Sequence, residues 1–235
     1  MVIDIHTHTG NKPIRSTLND IAASMKAYGI DKSAVSPMRQ PSSSMLIAES
    51  KRNLSANDAR FLCFLRFDPN RVHVDELMGI SNGFDGFKLH PRSEKFNPLD
   101  KKFKGMFRFF EDAGKPVLIH SRKEDYPYSD PVMMLKLAKR YAGTNFIFGH
   151  FASDSDRFFD DAYALDNVFV DTSIVSSPKI IEFRVDSFGA DRMLFGSDFP
   201  FSDQEIELLK IKKAGIKDSQ KDMILHSNAA RLLSI

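Results

Sequence analysis

The sequence VIDIHTH at residues 2–8 combines a short β-branched run with two histidines that are two positions apart. Because side chains on a β-strand alternate between its two faces, His6 and His8 are expected to point in the same direction. Two imidazoles on one side of a strand end can bind one metal ion if other parts of the chain supply the remaining ligands. Two surface histidines near a chain terminus are the simpler alternative.

Short β-rich runs and longer segments with helical spacing of apolar residues alternate along the whole chain. The eight predicted strands are residues 2–5, 32–36, 61–67, 84–89, 116–119, 145–148, 168–170 and 193–195. The predicted helices are residues 18–28, 44–55, 72–78, 100–112, 130–141, 156–165, 177–189, 202–214 and 219–235. Eight alternating units predict a parallel sheet that closes into a (β/α)8 TIM barrel, with residues 1–235 as a single domain.

A doubly wound open sheet is the competing fold. Such a sheet usually has fewer strands, and one that binds nucleotides has a glycine-rich first turn, which Thr9-Gly10-Asn11 does not supply. The predicted helix-to-strand links are short and contain glycine, whereas strand-to-helix links such as 37–43 and 121–129 are longer and more polar. Since barrel enzymes carry their active sites on strand-to-helix loops, this asymmetry indicates where the site is expected.

Composition limits the classes of partner and compartment. The 235 residues are 42% hydrophobic, which suffices for one large core, and the net charge of +2 comes from interspersed residues of both signs. This balance argues against a dedicated nucleic-acid-binding surface. The single cysteine, Cys63, excludes an internal disulfide, and no apolar run approaches the roughly 20 residues that cross a bilayer. We therefore expect a cytoplasmic protein that acts on a small molecule and has no membrane partner.

Most of the histidines lie at the carboxyl ends of predicted strands. Five of the seven do so, namely His6, His8, His90, His120 and His150. The eighth strand ends in Gly196-Ser197-Asp198. One strand-end histidine is more often a hydrogen-bonded polar residue than a ligand, but in a closed barrel all of these side chains converge on one mouth. The combination therefore predicts a metal site at the carboxyl ends of the strands.

On these residues the chain resembles the amidohydrolase superfamily, specifically the amidohydrolase-related branch of metal-dependent hydrolases and decarboxylases. The matching segments follow the order that the family shows. They are DIHTH at 4–8, GFKLHP at 86–91, VLIH at 117–120, FGH at 148–150, FGSDFP at 195–200 and SNAARLL at 227–233. The first and fifth are the most specific, and the last is similar to the closing helix of the family.

The resemblance implies a role for each strand-end residue. His6, His8 and His120 match metal ligands of the family. Asp198 matches an aspartate that both binds metal and exchanges a proton with the bound water. His150 matches a histidine that binds a second metal in some members and polarises water or substrate in others, so Asp198 and His150 are the expected catalytic residues.

Three imidazoles and one carboxylate suit one divalent transition metal, with Zn²⁺ expected and Mn²⁺ or Fe²⁺ as alternatives. Such an ion lowers the pKa of bound water to about 7. A carboxylate beside that water can take its proton and transfer it to a leaving group. The alternative for Asp198 is a helix N-cap before Pro200.

Three further residues are candidates for substrate binding: Lys88, His90 and Arg122. In parts of the superfamily a carbamylated lysine on this strand bridges two metals, and Lys88 is the candidate for it. The sequence Lys88-Leu89-His90-Pro91 is more similar to branches that use one metal, which we expect here. A buried ion pair at Lys88 and a solvent-exposed Arg122 remain alternatives.

The predicted function is a metal-dependent hydrolase that attacks an amide, lactone or ester bond of a small molecule. A decarboxylase of the same branch is the first alternative. A phosphoesterase or a TatD-type deoxyribonuclease is another, although these usually carry a strand-four glutamate or further ligands. A protein that binds metal without catalysis is the alternative from a different class.

Overall fold

The computed structural model of the protein describes residues 1–39, 60–123 and 126–235. Within them a parallel eight-stranded sheet follows the chain order, each strand hydrogen-bonded to the next. The strands are β1 Ile3–Thr9, β2 Lys32–Pro37, β3 Phe61–Arg66, β4 Gly86–Leu89, β5 Val117–Ile119, β6 Phe146–Phe148, β7 Val168–Asp171 and β8 Met193–Leu194. The prediction of a TIM barrel is confirmed.

The barrel closes between β1 and the segment that follows β8. The amide of Ile5 donates to the carbonyl of Phe195 at 2.9 Å, and the amide of His8 donates to Phe199 at 2.8 Å. A parallel bridge pairs Thr7 with Phe199. The first strand is therefore bonded on both sides, which leaves its backbone without a free edge.

Helices cover the outside of the barrel. In the described part of the chain they are α1 Leu18–Tyr28, α2 Val74–Ile80, α3 Pro91–Glu94, α4 Lys104–Ala113, α5 Pro131–Arg140, α6 Asp156–Ala162, α7 Pro178–Ser187, α8 Gln204–Lys213, α9 Asp218–Asp222 and α10 Asn228–Leu233. A π-helical turn, Met223–Ser227, joins α9 to α10. The helix predicted at 44–55 lies outside the described residues. None of the described helices combines the length and the apolar character needed to span a membrane.

Local sequence sets several of the helix ends. Thr17 and Asp20 form a capping box at the start of α1, and Gly29 ends that helix in the left-handed conformation at φ 74°. Asp130 caps α5 by accepting from the amide of Met133, while Pro131 occupies the first turn. These caps place the end of the first helix and the start of α5 within one residue of the bounds predicted from the sequence.

Alternation along the strands separates two apolar layers. One fills the barrel interior and the other lies between strands and helices. The interior layer comprises Ile3, Ile5, Ala34, Leu62, Phe64, Leu118, Ile147, Phe169 and Leu194, with Ala229 of α10 packed against it. This apolar plug leaves only the strand ends for polar side chains.

A β-bulge in β1 decides which way the two histidines face. Asp4 pairs with Ser33 and Thr7 with Val35, so β1 advances three residues where β2 advances two. In a regular strand His6 would lie on the face opposite Ile5, which packs in the barrel interior. The bulge changes this parity, and the imidazoles of His6 and His8 meet in the barrel mouth with their Nε2 atoms 3.0 Å apart.

Gly86 generates a prediction about packing inside the barrel. A Cβ atom at this position would lie 2.7–2.9 Å from three ring atoms of Phe64, which is itself buried in the interior layer. We expect Gly86→Ala to lower the free energy of unfolding by roughly 1–3 kcal/mol, because the ring has no space to move into.

The matched control is Gly105→Ala. Gly105 lies in α4, and a Cβ there meets nothing within 4 Å. This change should raise stability by up to about 1 kcal/mol. Urea unfolding measures both variants, and equal stability of Gly86→Ala and the unchanged protein would contradict the packing argument.

Candidate metal centre and active site

The strand ends surround a cavity of about 600 Å³. All eight site residues singled out in the sequence line it, namely His6, His8, Lys88, His90, His120, Arg122, His150 and Asp198. A larger cavity of about 860 Å³, lined by Tyr163 and Arg192 among others, contains none of them. The convergence expected from the barrel therefore occurs, although the residues lie in distinct groups within it.

His6, His8 and Asp198 form the tightest of these groups. Nε2 of His8 lies 3.0 Å from Nε2 of His6 and 3.1 Å from Oδ1 of Asp198, and the third distance, from His6 Nε2 to Asp198 Oδ1, is 3.4 Å. Ligand atoms of a tetrahedral zinc site, each about 2.0–2.1 Å from the ion, lie about 3.3 Å from one another. The donor set and its spacing thus fit one divalent transition metal.

Hydrogen bonds at the other ring nitrogens orient both histidines. Nδ1 of His6 lies 2.7 Å from Oδ2 of Asp171, and because a carboxylate oxygen only accepts, this Nδ1 carries the proton. Nδ1 of His8 lies 3.0 Å from Oγ of Ser36, which can donate or accept, and 3.3 Å from the carbonyl oxygen of Ser36. The Nε2 atom of His6 is therefore left with a lone pair that can bind a cation.

Asp171, at the end of β7, has the largest set of polar partners at the mouth. Besides His6, it accepts from the amide of His150 at 2.9 Å and from the amide and hydroxyl of Ser173 at 3.0 and 2.6 Å. Burial raises its pKa, but the charge and hydrogen bond of His6 and the bond from Ser173 outweigh this and lower the pKa below its ordinary value. It therefore remains an anion that orients His6. The sequence analysis missed this residue, although its strand-end position carried the signal used for the histidines.

Asp198 lies between the metal-ligand group and His150. Its amide donates to the carbonyl of His6 at 2.8 Å, its Oδ1 faces His6 and His8, and its Oδ2 lies 3.8 Å from Nδ1 of His150. Burial raises the pKa of the carboxyl group, which favours a bound proton. The N-cap of α8 is Asp203, which accepts from the amide of Glu205, so the capping role considered for Asp198 belongs to another residue.

His120 lies outside the three-residue group. Among the described residues, one set of three has ligand atoms that all lie within 4.8 Å of one another, namely His6, His8 and Asp198. The ring of His120 instead stacks on that of His90 at 3.8 Å, and its Nδ1 lies 2.9 Å from Nε2 of His150. Its role as a metal ligand stays a prediction from the resemblance.

Lys88 is buried on the interior face of β4. Its Nζ lies 2.6 Å from Nε2 of His6, on the lone pair that a metal ion would use. Burial lowers the pKa of Lys88 to about 8, so its amine releases a proton more readily than an exposed lysine does. Only the uncharged amine forms a carbamate, so the lowered pKa favours this modification of Lys88. Whether the carbamate forms and bridges two metals, or the site binds one metal, stays a prediction.

Cations dominate the wall of the cavity. Besides the histidines, the charged residues that line it are Lys12, Arg39, Arg66, Lys88, Arg92, Arg122 and Asp198. Arg66 is paired with the buried Glu94 at 2.8 Å and also donates to the carbonyl of Met38 at 2.6 Å. The excess of positive charge makes an anionic ligand favourable in this cavity. Of these cations the sequence analysis identified only Lys88 and Arg122.

A left-handed turn follows β6 and carries His150. The five residues His150–Asp154 all have φ between 47° and 57°. Such backbone costs roughly 1–2 kcal/mol per residue for side chains other than glycine. The turn is held by the amide of Lys123, which donates to Ser153 at 2.9 Å, and by Arg184, which donates to Asp154 at 2.9 Å. The sequence contains no glycine inside the turn that would have predicted it.

The buried histidines generate a prediction about pH. Burial lowers the pKa of His6, His8, His90 and His150, while the same side chains in the unfolded chain take up protons near pH 6.5. The unfolded state then binds more protons below that pH, so the free energy of unfolding falls as the pH falls. The slope contributed by each histidine approaches about 1.4 kcal/mol per pH unit.

Four buried carboxyl groups act in the opposite direction, because burial raises the pKa of Asp4 to about 7 and also raises the pKa values of Glu94, Asp198 and Glu207. The prediction requires that the four histidines outweigh these carboxyl groups. Urea unfolding of the chelator-treated protein between pH 8 and pH 5 measures how the free energy of unfolding depends on pH when all of these groups act together. A free energy that is constant or increases on acidification would contradict this balance.

Asp171 generates a prediction about metal binding. Asp171→Asn keeps the shape of the side chain but removes the charge that orients His6 and stabilises its Nδ1 proton. We expect the affinity for Zn²⁺ or Mn²⁺ to fall about 10- to 100-fold. Asp31→Asn is the control, since Asp31 accepts from Val2 at the other end of β1. Titration with a fluorescent metal indicator gives both affinities, and an unchanged affinity in folded Asp171→Asn would refute the orienting role.

Several solved structures have a fold similar to that of this chain. A 5-carboxyvanillate decarboxylase from Sphingomonas paucimobilis has a TM-score of 0.77 at 17% identity, covering 100% of this chain and 99% of its own. A 2,6-dihydroxybenzoate decarboxylase from Rhizobium has a TM-score of 0.79 at 16% identity, covering 99% of this chain and 98% of its own. A putative 2-pyrone-4,6-dicarboxylic acid hydrolase from Pseudomonas putida has a TM-score of 0.73 at 16% identity, covering 99% of this chain and 97% of its own. At these identities the likeness concerns the fold.

Comparison with curated proteins gives no significant match. A family model described as amidohydrolase, however, matches residues 3–235. The match includes both ends of the barrel and every residue of the His6, His8 and Asp198 group. The chain therefore belongs to the amidohydrolase family.

Proposed function

We propose that the protein is a metal-dependent decarboxylase of small aromatic hydroxy acids. The observation that carries the proposal is the His6, His8 and Asp198 group in a cavity whose wall is rich in cations. An aryl carboxylate is attracted to such a wall, and its oxygens suit a divalent cation. The two decarboxylases of similar fold, which act on aromatic carboxylates, support the same substrate class.

The residues divide into those that hold a metal ion and those that act on substrate. His6, His8 and Asp198 would hold the ion, with His120 as the further ligand that the resemblance implies. When bound, the ion supplies a Lewis acid that polarises substrate oxygens or lowers the pKa of water. Similar structures contain manganese, so Mn²⁺ is as suitable a cofactor as the Zn²⁺ expected from the ligands.

Asp198 would be the proton donor. Decarboxylation of an aryl carboxylate requires a proton on the ring carbon that carries the carboxylate. The bond between that carbon and the carboxylate then breaks, its electron pair returns to the ring, and CO₂ leaves. Asp198 is placed to carry this proton, because its Oδ1 faces His6 and His8 while its Oδ2 faces His150. His150, 3.8 Å from Oδ2 of Asp198, is positioned to return a proton to it.

Hydrolysis of a lactone, amide or ester, the function predicted from the sequence, is the second candidate. The same residues would serve it, and the hydrolase from Pseudomonas putida has a similar fold. The two reactions differ in the starting state of Asp198, which must be protonated for decarboxylation and ionised for hydrolysis. The cation-rich wall of the cavity and the two decarboxylases of similar fold support decarboxylation.

The pH profile separates the two candidates. A decarboxylase should lose kcat as the pH rises through the apparent pKa of the coupled Asp198 and His150 unit, whereas a hydrolase should lose kcat as the pH falls through it. The probes are 2,6-dihydroxybenzoate and 5-carboxyvanillate for CO₂ release, and 2-pyrone-4,6-dicarboxylate for ring opening, each with Mn²⁺-loaded and Zn²⁺-loaded protein. Ring opening without CO₂ release would replace our proposal by the second candidate.

Asp198→Asn provides the prediction for the catalytic residue. It keeps an oxygen ligand but cannot donate or accept the proton, so kcat should fall about 10²- to 10⁴-fold. Metal content should fall less, because the imidazoles remain. Asp203→Asn, in the cap of the neighbouring helix α8, is the control and should retain activity. Turnover by Asp198→Asn within about threefold of the unchanged protein would exclude this proton transfer.

A further inference from the structure

A second, smaller cavity adjoins the active site. It has a volume of about 370 Å³ and shares three wall residues with the main cavity, namely Arg122, His150 and Ile174. The rest of its wall mixes apolar and polar residues, namely Phe151, Val175, Ile180, Lys123, Ser153, Asp154 and Ser176. A cavity of about 150 Å³ is large enough for benzene, so this side pocket has the volume for an aromatic ring.

Ile174 has an unusual backbone conformation for a β-branched residue. Its φ is 62°, in the left-handed region that such side chains rarely adopt. Both neighbours are fixed. Ser173 donates its amide and hydroxyl to Asp171, and the carbonyl of Val175 accepts from Lys210 at 2.6 Å. The chain between them is therefore held in this conformation by hydrogen bonds on either side.

The side chain that this backbone presents is 42% exposed and lies at the junction of the two cavities. A glycine would adopt the same φ without steric cost, so the cost of an isoleucine is not explained by the turn alone. Strained residues of this kind concentrate at functional sites, where the side chain has a role in binding. Phe201, which also lines the main cavity, contacts the ring of His8 with centroids 5.8 Å apart.

We infer that Ile174 is a specificity-determining residue that separates the catalytic cavity from the side pocket and so limits the size of the substrate. This inference rests on the proposed function, because it takes the ligand to be an aryl carboxylate. The substituent that Ile174 excludes is an apolar or aromatic group on that ring. Removal of the side chain joins the two cavities and admits such a group between Phe151 and Ile180.

The experiment compares binding of salicylate with that of 3-, 4- and 5-phenylsalicylate to Mn²⁺-loaded protein by calorimetry. The three isomers direct the added ring along different paths from a common carboxylate. In Ile174→Gly, the affinity for at least one phenylsalicylate relative to salicylate should rise about tenfold or more over the unchanged protein. Ile174→Leu restores the bulk and should restore the original ratio.

Ile14→Ala is the matched control. Ile14 is also an isoleucine that is 42% exposed, and it follows Lys12 and Pro13 of the main cavity wall without lining either cavity. The affinity of this variant for each phenylsalicylate relative to salicylate should equal that of the unchanged protein. Thermal unfolding checks that each variant is folded. Equal ratios for all three isomers in Ile174→Gly and the unchanged protein overturn this inference alone. Absence of binding of salicylate to the unchanged protein overturns the proposed substrate class, and this inference with it.

Discussion

The hydrogen bond from the amide of Asp198 to the carbonyl of His6 joins the first strand of the barrel to the last. Everything at the mouth depends on this closure, because it brings a carboxylate from one end of the sequence to two imidazoles from the other. The apolar interior layer beneath them confines the polar side chains of the barrel interior to the strand ends. A set of donor atoms 3.0–3.4 Å apart is the consequence, and it is a set that suits a metal ion.

Burial explains the unusual electrostatics of this site. Charge is disfavoured on buried groups, so the pKa values of Lys88 and of four histidines, His6, His8, His90 and His150, are lowered while that of Asp198 is raised. Asp171 is the exception, because His6 and Ser173 donate to it and keep it ionised. Asp171 thus stays ionised beside His6, whereas Asp198 is a carboxyl group that can carry a proton. This division of roles between two aspartates is what acid–base chemistry near neutral pH requires.

Backbone strain at the mouth has a common cause. Residues 150–154, Ile174 and Asp198 all have positive φ, and all lie on strand-to-helix loops. Hydrogen bonds to other segments fix Ser153, Asp154 and Asp198, and bonds of Ser173 and Val175 fix the chain on both sides of Ile174. The loops can therefore present side chains in directions that regular strands and turns would not allow.

Periodicity is a local property, so the amino-acid sequence was enough to predict the eight strands, the helix at 18–28 and the strand-end positions of five histidines and Asp198. Asp171 also lies at a strand end, although its role was not predicted. The tertiary structure was needed to show that a bulge turns His6 inward, that His120 packs against His90 and His150, and that Ile174 lines two cavities. These features arise from contacts between distant segments and from positive φ at residues other than glycine, for which a sequence carries no local signal.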